Sequence, residues 1–199
     1  MTGIERAALV ILDMQNDAIS EGGAFGGTGA AAHAREQNIV ANVAALASAF
    51  RAASAPVVHV WYVVETGARE LAQNAPLFEA VRAENANVRG SWGAAPVAGL
   101  EPQQQDFVVE KLRMNAFHGT PLDTLLRGLG TETVVLAGAW TNMSVEHTAR
   151  HAADAGYHVV LASDGTSTLN AEWQEAALGY ALTHVATIAT CAEIEAALS

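Results

Sequence analysis

Positive charge is scarce in this chain. Its 199 residues hold 10 lysines and arginines against 21 aspartates and glutamates, a formal net charge of −11. Nucleic acid and anionic membrane both demand a basic face, so neither is an expected partner. Cysteine occurs once, as Cys191, which leaves no internal disulfide and no Cys-rich zinc site. No apolar run reaches the length of about 18 residues that a membrane span requires. Met1 to Arg6 mixes acid and base and leads directly into a strand. That is not the shape of a signal peptide, and a cytoplasmic protein is expected.

What the chain does have is apolar mass. Hydrophobic residues make up 51% and charged residues only 16%, a balance that rules out intrinsic disorder. A chain of this length hides roughly 70% of its unfolded surface, enough for one sizeable core. A single domain over 1–199 is expected. Alanine occurs 42 times, and nine of the ten basic residues are arginine. The one lysine, Lys111, is therefore worth locating.

Short apolar runs alternate with amphipathic stretches. Ala8 to Leu12 is a continuous apolar run ending in Asp13, as in a strand buried on both faces. Ala34 to Ala53 has helical spacing. Pro56 to Val64 reads as a second strand, Pro76 to Glu84 as a helix, and Asn87 to Gln105 as irregular. Phe107 to Glu110 is a short third strand ending at Lys111. Thr120, Pro121 and Asp123 together predict a helix start, with Thr120 capping, Pro121 in the first position and Asp123 completing a capping box. Thr133 to Ala137 is the fourth strand. A helix over Asn142 to Ala155 is closed by Gly156. Tyr157 to Leu161, a helix over Asn170 to Leu182, Val185 to Ile188 and a terminal helix from about Ala192 complete the pattern. Such alternation implies an α/β fold, a mainly parallel six-stranded sheet with helices on both faces. Ligands in such folds bind beyond the carboxyl ends of the strands, near a switch in strand order.

Three residues fall at that edge. Asp13 ends the first strand. Lys111 ends the third, where it can hold a carboxylate ionised or stabilise charge developing on a substrate. Ser144 lies in the first turn of the helix after the fourth strand, where unpaired N–H groups and the helix dipole suit a nucleophile and an oxyanion.

Three separated segments carry a family resemblance. They are Leu9-Val-Ile-Leu-Asp-Met-Gln-Asn-Asp17, then Val108-Val-Glu-Lys-Leu-Arg-Met-Asn-Ala-Phe-His-Gly-Thr-Pro-Leu-Asp123, then Val134 to Gly138 with Thr141-Asn-Met-Ser-Val145. With Thr148, Ala149, Ala152, Gly156 and Tyr157, the chain resembles the isochorismatase-like hydrolases, the cysteine hydrolase superfamily, nearly end to end. The resemblance implies a Rossmann-type strand order and a catalytic triad of aspartate, lysine and cysteine, which falls on Asp13, Lys111 and Ser144. It also implies a cis peptide at Ala139–Trp140 that aims the N–H groups of Trp140 and Ser144 at an oxyanion. It implies no cofactor, a small-molecule substrate and a homo-oligomer, dimer or tetramer. The implied reaction is hydrolysis of a C–N bond in a small amide or ureide.

The departure is serine in place of cysteine. Serine is far weaker than cysteine at its free pKa and needs a better base. Three readings stay open: a substitution that disables the site, a natural serine nucleophile, or chemistry without a covalent nucleophile. The last is the way of isochorismatases proper, which split a vinyl ether with the aspartate as proton donor. Those enzymes carry glutamine after the second strand, where this chain has Glu65. A catalytically silent binding protein on the same fold is the alternative of a different class.

Substrate-binding residues are expected at Trp61, Glu65, Trp92, Phe117 and Trp140, all in or near turns at the cleft, with Trp140 directly beside the nucleophile turn. Trp173 and Tyr180 read as core or interface. Gly22 to Gly29 is glycine-rich but lacks the pattern of a phosphate-binding loop, and reads as a mobile loop near the site. His147 and His151 are four apart on a helix. The core stripe of Val145, Thr148, Ala149 and Ala152 turns them outward, and no Asp-x-His cluster of the family's zinc-binding branch is present. No metal is expected.

Overall fold

The computed structural model describes residues 4–198. Its centre is a parallel sheet of six strands in the order β3-β2-β1-β4-β5-β6. The strands are β1 (Ala7–Leu12), β2 (Val57–Tyr62), β3 (Phe107–Lys111), β4 (Thr133–Ala139), β5 (His158–Ser167) and β6 (Thr187–Ala189). The order reverses between β1 and β4, which pair from Ala7 with Thr133 to Leu12 with Gly138. The crevice of such a sheet opens at that reversal.

All six residues of β1 are buried, and its alternation feeds two cores. Leu9 and Ile11 pack on one face with Val43, Leu46 and Phe50 of α3 (Ile39–Ala52) and Ile194 of α8 (Cys191–Ala197). Ala8, Val10 and Leu12 pack on the other with Leu122 and Leu126 of α5 (Leu122–Gly128) and Ala149 and Ala152 of α6 (Glu146–Asp154). Burial on both faces is why the strand reads as an unbroken apolar run. A third, smaller cluster joins Phe25, Tyr62, Val64, Leu71, Phe78 and Val81 over the carboxyl edge of the sheet. It is built from the connecting segments, including α4 (Pro76–Ala83).

Several local expectations are corrected. The stretch from 34 to 53 is not one helix. After the short α1 (Asn16–Ile19), it is α2 (Ala30–Glu36) followed by α3, broken at Asn38, whose φ of 51° is left-handed. α5 starts at Leu122 without a capping box. Thr120 Oγ1 accepts from the Leu122 N–H, but Asp123 instead accepts from the Tyr157 hydroxyl and pairs with Arg127. β5 runs on to Ser167, because after an irregularity at Leu136/Gly138 it pairs again with the end of β4. The capping box appears at α8, between Thr190 and Glu193. Past β5 the helix expected from Asn170 to Leu182 is α7 (Ala171–Glu175) continued by a π-helical segment, Ala176–Ala181. No helix is long and apolar enough to cross a membrane among the described residues.

Candidate active site

Asp13 follows β1 with a left-handed φ of 50°, its N–H donating to Val60 O. The strand end needs room there, and Gly138 of β4 supplies it. A Cβ on Gly138 would sit 2.1 Å from Leu12 O, and its φ is 115°. A side chain at 138 is therefore excluded by both space and backbone conformation. The turn leaves the Asp13 carboxylate directed across the sheet edge toward the end of β3.

There the three edge residues meet. Lys111 Nζ donates to Asp13 Oδ2 at 2.7 Å and to Ser144 Oγ at 3.0 Å. Ser144 Oγ donates to the same Asp13 Oδ2 at 2.5 Å. Lys111 Nζ also lies 3.1 Å from Arg113 O and 3.2 Å from Met114 O. Its three protons thus face four oxygens, and its side chain is wholly buried. Burial pushes the Lys111 ammonium below the ordinary lysine range, and Asp13 opposes that shift. Ser144 sits in a π-helical turn, Thr141–Val145, that joins β4 to α6. The peptide between Ala139 and Trp140, just before this turn, is cis. Two buried side chains brace the turn. Thr141 Oγ1 donates to Gln174 Oε1, whose amide donates to Thr166 O, and Thr168 Oγ1 donates to Asn142 Oδ1.

Asp13 and Ser144 form the floor of a cavity holding about 460 Å³ of empty space, its open mouth included, with Lys111 behind them. Trp140 makes one wall. Its indole N–H donates to Ala18 O, and its ring meets Phe25 edge-on at 5.5 Å. Gln15 makes another. Its carboxamide exchanges bonds with both the N–H and the carbonyl of Tyr62, and donates to Ala94 O. This ties β2 to the irregular 87–105 segment. Asp17 completes the tie, accepting from the Ala24 and Asn87 N–H groups. Gly93 packs flat on that carboxylate, where a Cβ would lie 2.0 Å from Oδ2.

The other residues expected to bind substrate lie elsewhere. Trp61 shares the β2 face of Val57 and His59, and a strand's period of two sends Tyr62 to the cavity instead. Trp92 is 58% exposed. Phe117 is buried among the α5 and α6 residues, stacked on His151 at 4.7 Å. Glu65 is exposed and pairs with Arg89, which also binds Glu110. These two acids lie on a separate, open cavity along the β3 edge. His147 is exposed, with Nδ1 against Met143 O. Trp173 and Tyr180 are exposed. Within the glycine-rich stretch Phe25 is buried and lines the cavity. Among the described residues no group of three or more His, Cys, Asp or Glu is placed to hold a metal ion.

Sequence reasoning missed Gln15, Tyr62 and Asn87. Tyr62 adjoins Trp61 and Gln15 lies two residues beyond Asp13, so a short step along each strand end reaches them. Asn87 opens a segment without periodicity, and no local signal marks it.

The model of the isochorismatase domain family matches residues 7–193 of the chain. The chain is 30% identical to the ureidoacrylate amidohydrolase RutB of Enterobacter sp. (strain 638), over 98% of its own length and 90% of that protein. A cysteine hydrolase from Pseudomonas syringae pv. phaseolicola 1448A superposes with a TM-score of 0.86 at 24% identity, covering 99% of this chain and 97% of the other, a likeness of fold. N-carbamoylsarcosine amidase from Thermoplasma acidophilum superposes with a TM-score of 0.73 at 25% identity, covering 94% and 96%.

Proposed function

The chain belongs to the isochorismatase family, and from that premise we propose that it hydrolyses a C–N bond of a small amide or ureide, with Asp13, Lys111 and Ser144 as the reacting groups. One observation carries the reading: a single carboxylate oxygen, Asp13 Oδ2, receives both the Ser144 hydroxyl and the Lys111 ammonium at the floor of a cavity. Relatives that act on ureidoacrylate and N-carbamoylsarcosine support the choice of bond.

Asp13 takes the Ser144 proton as Oγ attacks the carbonyl carbon. Lys111, already donating to Oγ, stabilises the alkoxide as it forms. The oxyanion rests on the N–H groups of Trp140 and Ser144. The C–N bond then breaks, and Asp13 returns the proton to the leaving nitrogen. Water, deprotonated by Asp13, hydrolyses the ester and restores Ser144. No step calls for a metal or cofactor.

Serine is a weak nucleophile, and it keeps the vinyl-ether reading alive, in which Asp13 donates a proton and Ser144 only shapes the site. Ammonia release from a panel of small amides and ureides separates the two. Under the amidohydrolase reading the wild type releases ammonia and Ser144→Cys raises turnover by orders of magnitude, since a thiolate is far easier to generate beside a base. No release by either protein, with cleavage of a vinyl ether, overturns it. We propose further that the enzyme is a cytoplasmic homo-oligomer; a monomer mass in light scattering at micromolar concentration removes the second part.

A further inference from the structure

Four buried side-chain atoms have no hydrogen-bond partner among the described residues, and three of them, Asp13 Oδ1, Tyr62 Oη and Asn87 Oδ1, belong to residues lining the one cavity above the trio. Asp13 is 8% exposed, Tyr62 6% and Asn87 6%. Buried polar atoms in folded proteins are nearly always paired, so three orphans on one cavity call for an explanation. Looseness of this wall is not the explanation. Gln15, from the same wall, bonds through both its amide atoms, and the Asn87 backbone N–H is held by Asp17.

The three atoms define a complement. An ionised Asp13 Oδ1 only accepts. The Tyr62 hydroxyl donates and accepts, and burial raises its pKa, so it keeps its proton. The Asn87 carboxamide presents an oxygen or an NH2 group. A carbonyl carrying an NH2 group, as in a primary amide or a urea, offers the donors and the acceptor that these three atoms lack.

Charge narrows the choice further. Asp13 is the sole charged residue lining the cavity among the described residues. Lys111 lies behind Asp13 with its protons committed to four oxygens. Arg113 is turned away, over the Phe78 ring at 4.1 Å and bonded to Ala72 O and Asn74 Oδ1. The remaining wall is apolar, with Leu77, Val81, Met114 and Met143 beside Phe25 and Trp140. A carboxylate entering here would lose its water, meet no cation and face Asp13.

We propose that this site selects uncharged primary amides and ureides with an apolar substituent and rejects those carrying a carboxylate, Tyr62 and Asn87 being the binding residues that hold the carbamoyl group. The proposal rests on the amidohydrolase reading for what becomes of the ligand once bound.

Calorimetric titration of the Ser144→Ala protein tests it with two matched pairs: hexanamide against adipamate, and butylurea against 4-ureidobutanoate. The neutral member of each pair should bind at least about tenfold tighter. Tyr62→Phe and Asn87→Gly, each added to Ser144→Ala, should each weaken the neutral ligand about tenfold, the scale of one lost buried hydrogen bond. Glycine is chosen at 87 because φ there is 54°, a conformation alanine resists. Circular dichroism checks that both variants fold, and Tyr62→Phe alone suffices should Asn87→Gly unfold. Equal or tighter binding of the carboxylate member, no binding of either neutral ligand, or unchanged affinity in a folded Tyr62→Phe protein overturns the proposal. Neutral ligands that bind while neither the wild type nor Ser144→Cys releases ammonia from them would defeat the hydrolytic reading alone. Ammonia released chiefly from adipamate and 4-ureidobutanoate would defeat this proposal alone.

Discussion

The strand β3 is bracketed by two buried carboxylate–cation clusters, and they are built to opposite ends. Before its first residue, Asp106 accepts from Arg51 through both oxygens, at 3.1 and 2.6 Å, from the Gln103 N–H at 2.8 Å and from His59 at 3.3 Å. At its last residue, Lys111 meets Asp13, whose Oδ2 takes two donors and whose Oδ1 takes none. Both carboxylates lie under protein, and both face a cation. Asp106 lines neither the cavity over Asp13 nor the open one along the β3 edge, whereas the free oxygen of Asp13 belongs to a residue lining the first. A buried ion pair alone is thus weak evidence of a site. The unspent acceptor on a cavity is what separates chemistry from construction.

Exchanging each aspartate for asparagine is the sharpest way to break this comparison. Asp13→Asn should abolish hydrolysis by roughly the 10²–10⁴-fold typical of losing a general acid or base, while circular dichroism stays native. Asp106→Asn should do the reverse. It leaves Arg51 without its charge partner and should cost about 3–5 kcal/mol in urea unfolding, the scale for removing one member of a buried pair. Turnover per folded molecule should be unchanged. An Asp106→Asn protein as inactive as Asp13→Asn would mean that the two clusters are not separable.

The next effect in size concerns how the site is held. Gln174 is buried and spans from Thr141, at the start of the nucleophile turn, to Thr166 of β5. Gln174→Ala strands the Thr141 hydroxyl and should cost about 1–3 kcal/mol, the penalty of an unsatisfied buried group. Because the side-chain hydrogen bonds of Gln174 go to Thr141, Ser163 and Thr166, which brace the turn but do not line the cavity, kcat should fall more than KM rises. Stability loss with unchanged kcat would make it a fold residue only.

The two clusters also differ in how far the sequence announces them. Asp13 and Lys111 each end a strand, so the boundary of an apolar run marks them directly. Ser144 is marked by the strand-to-helix turn. The cavity wall is harder to read. β2 is buried on both sides, so Val57 to Tyr62 has no alternation, and nothing in it tells whether Trp61 or Tyr62 faces the cleft. The 87–105 segment has no period at all. There the eye falls on Trp92, the large aromatic, while the cavity is lined by the small polar Asn87. The split of α2 from α3 was equally hidden. Apolar spacing continues across Gln37 and Asn38, and only the left-handed backbone of Asn38 breaks it.

The smallest effect sought is a pH dependence that belongs to the structural side of the molecule. Burial pushes His59 below the ordinary histidine range, with Asp106 opposing and Arg51 reinforcing; burial also pushes His33 down, with Glu36 opposing. In the unfolded chain both titrate near 6.5. Between that value and their lower folded values, the unfolded state binds more protons than the native one. Stability therefore rises with pH through that window, and falls as acid is added below about pH 6.5. Asp106 adds a second loss at lower pH. Burial raises its pKa, yet Arg51 and the Gln103 N–H outweigh burial and hold it below the usual 3.8, so its contribution is present above that value and disappears as pH drops through the folded one. Urea midpoints should climb from pH 5 to pH 7, and His59→Gln should flatten the climb. The Ser144→Ala protein should keep the full climb, since His59 and Asp106 lie at the far end of β3 and His33 is linked to the nucleophile turn through Thr168 and Asn142 rather than through Ser144. An unchanged slope in both His59→Gln and His33→Gln would place the titration elsewhere. A slope lost in Ser144→Ala would couple the two ends of the sheet that the comparison treats as independent.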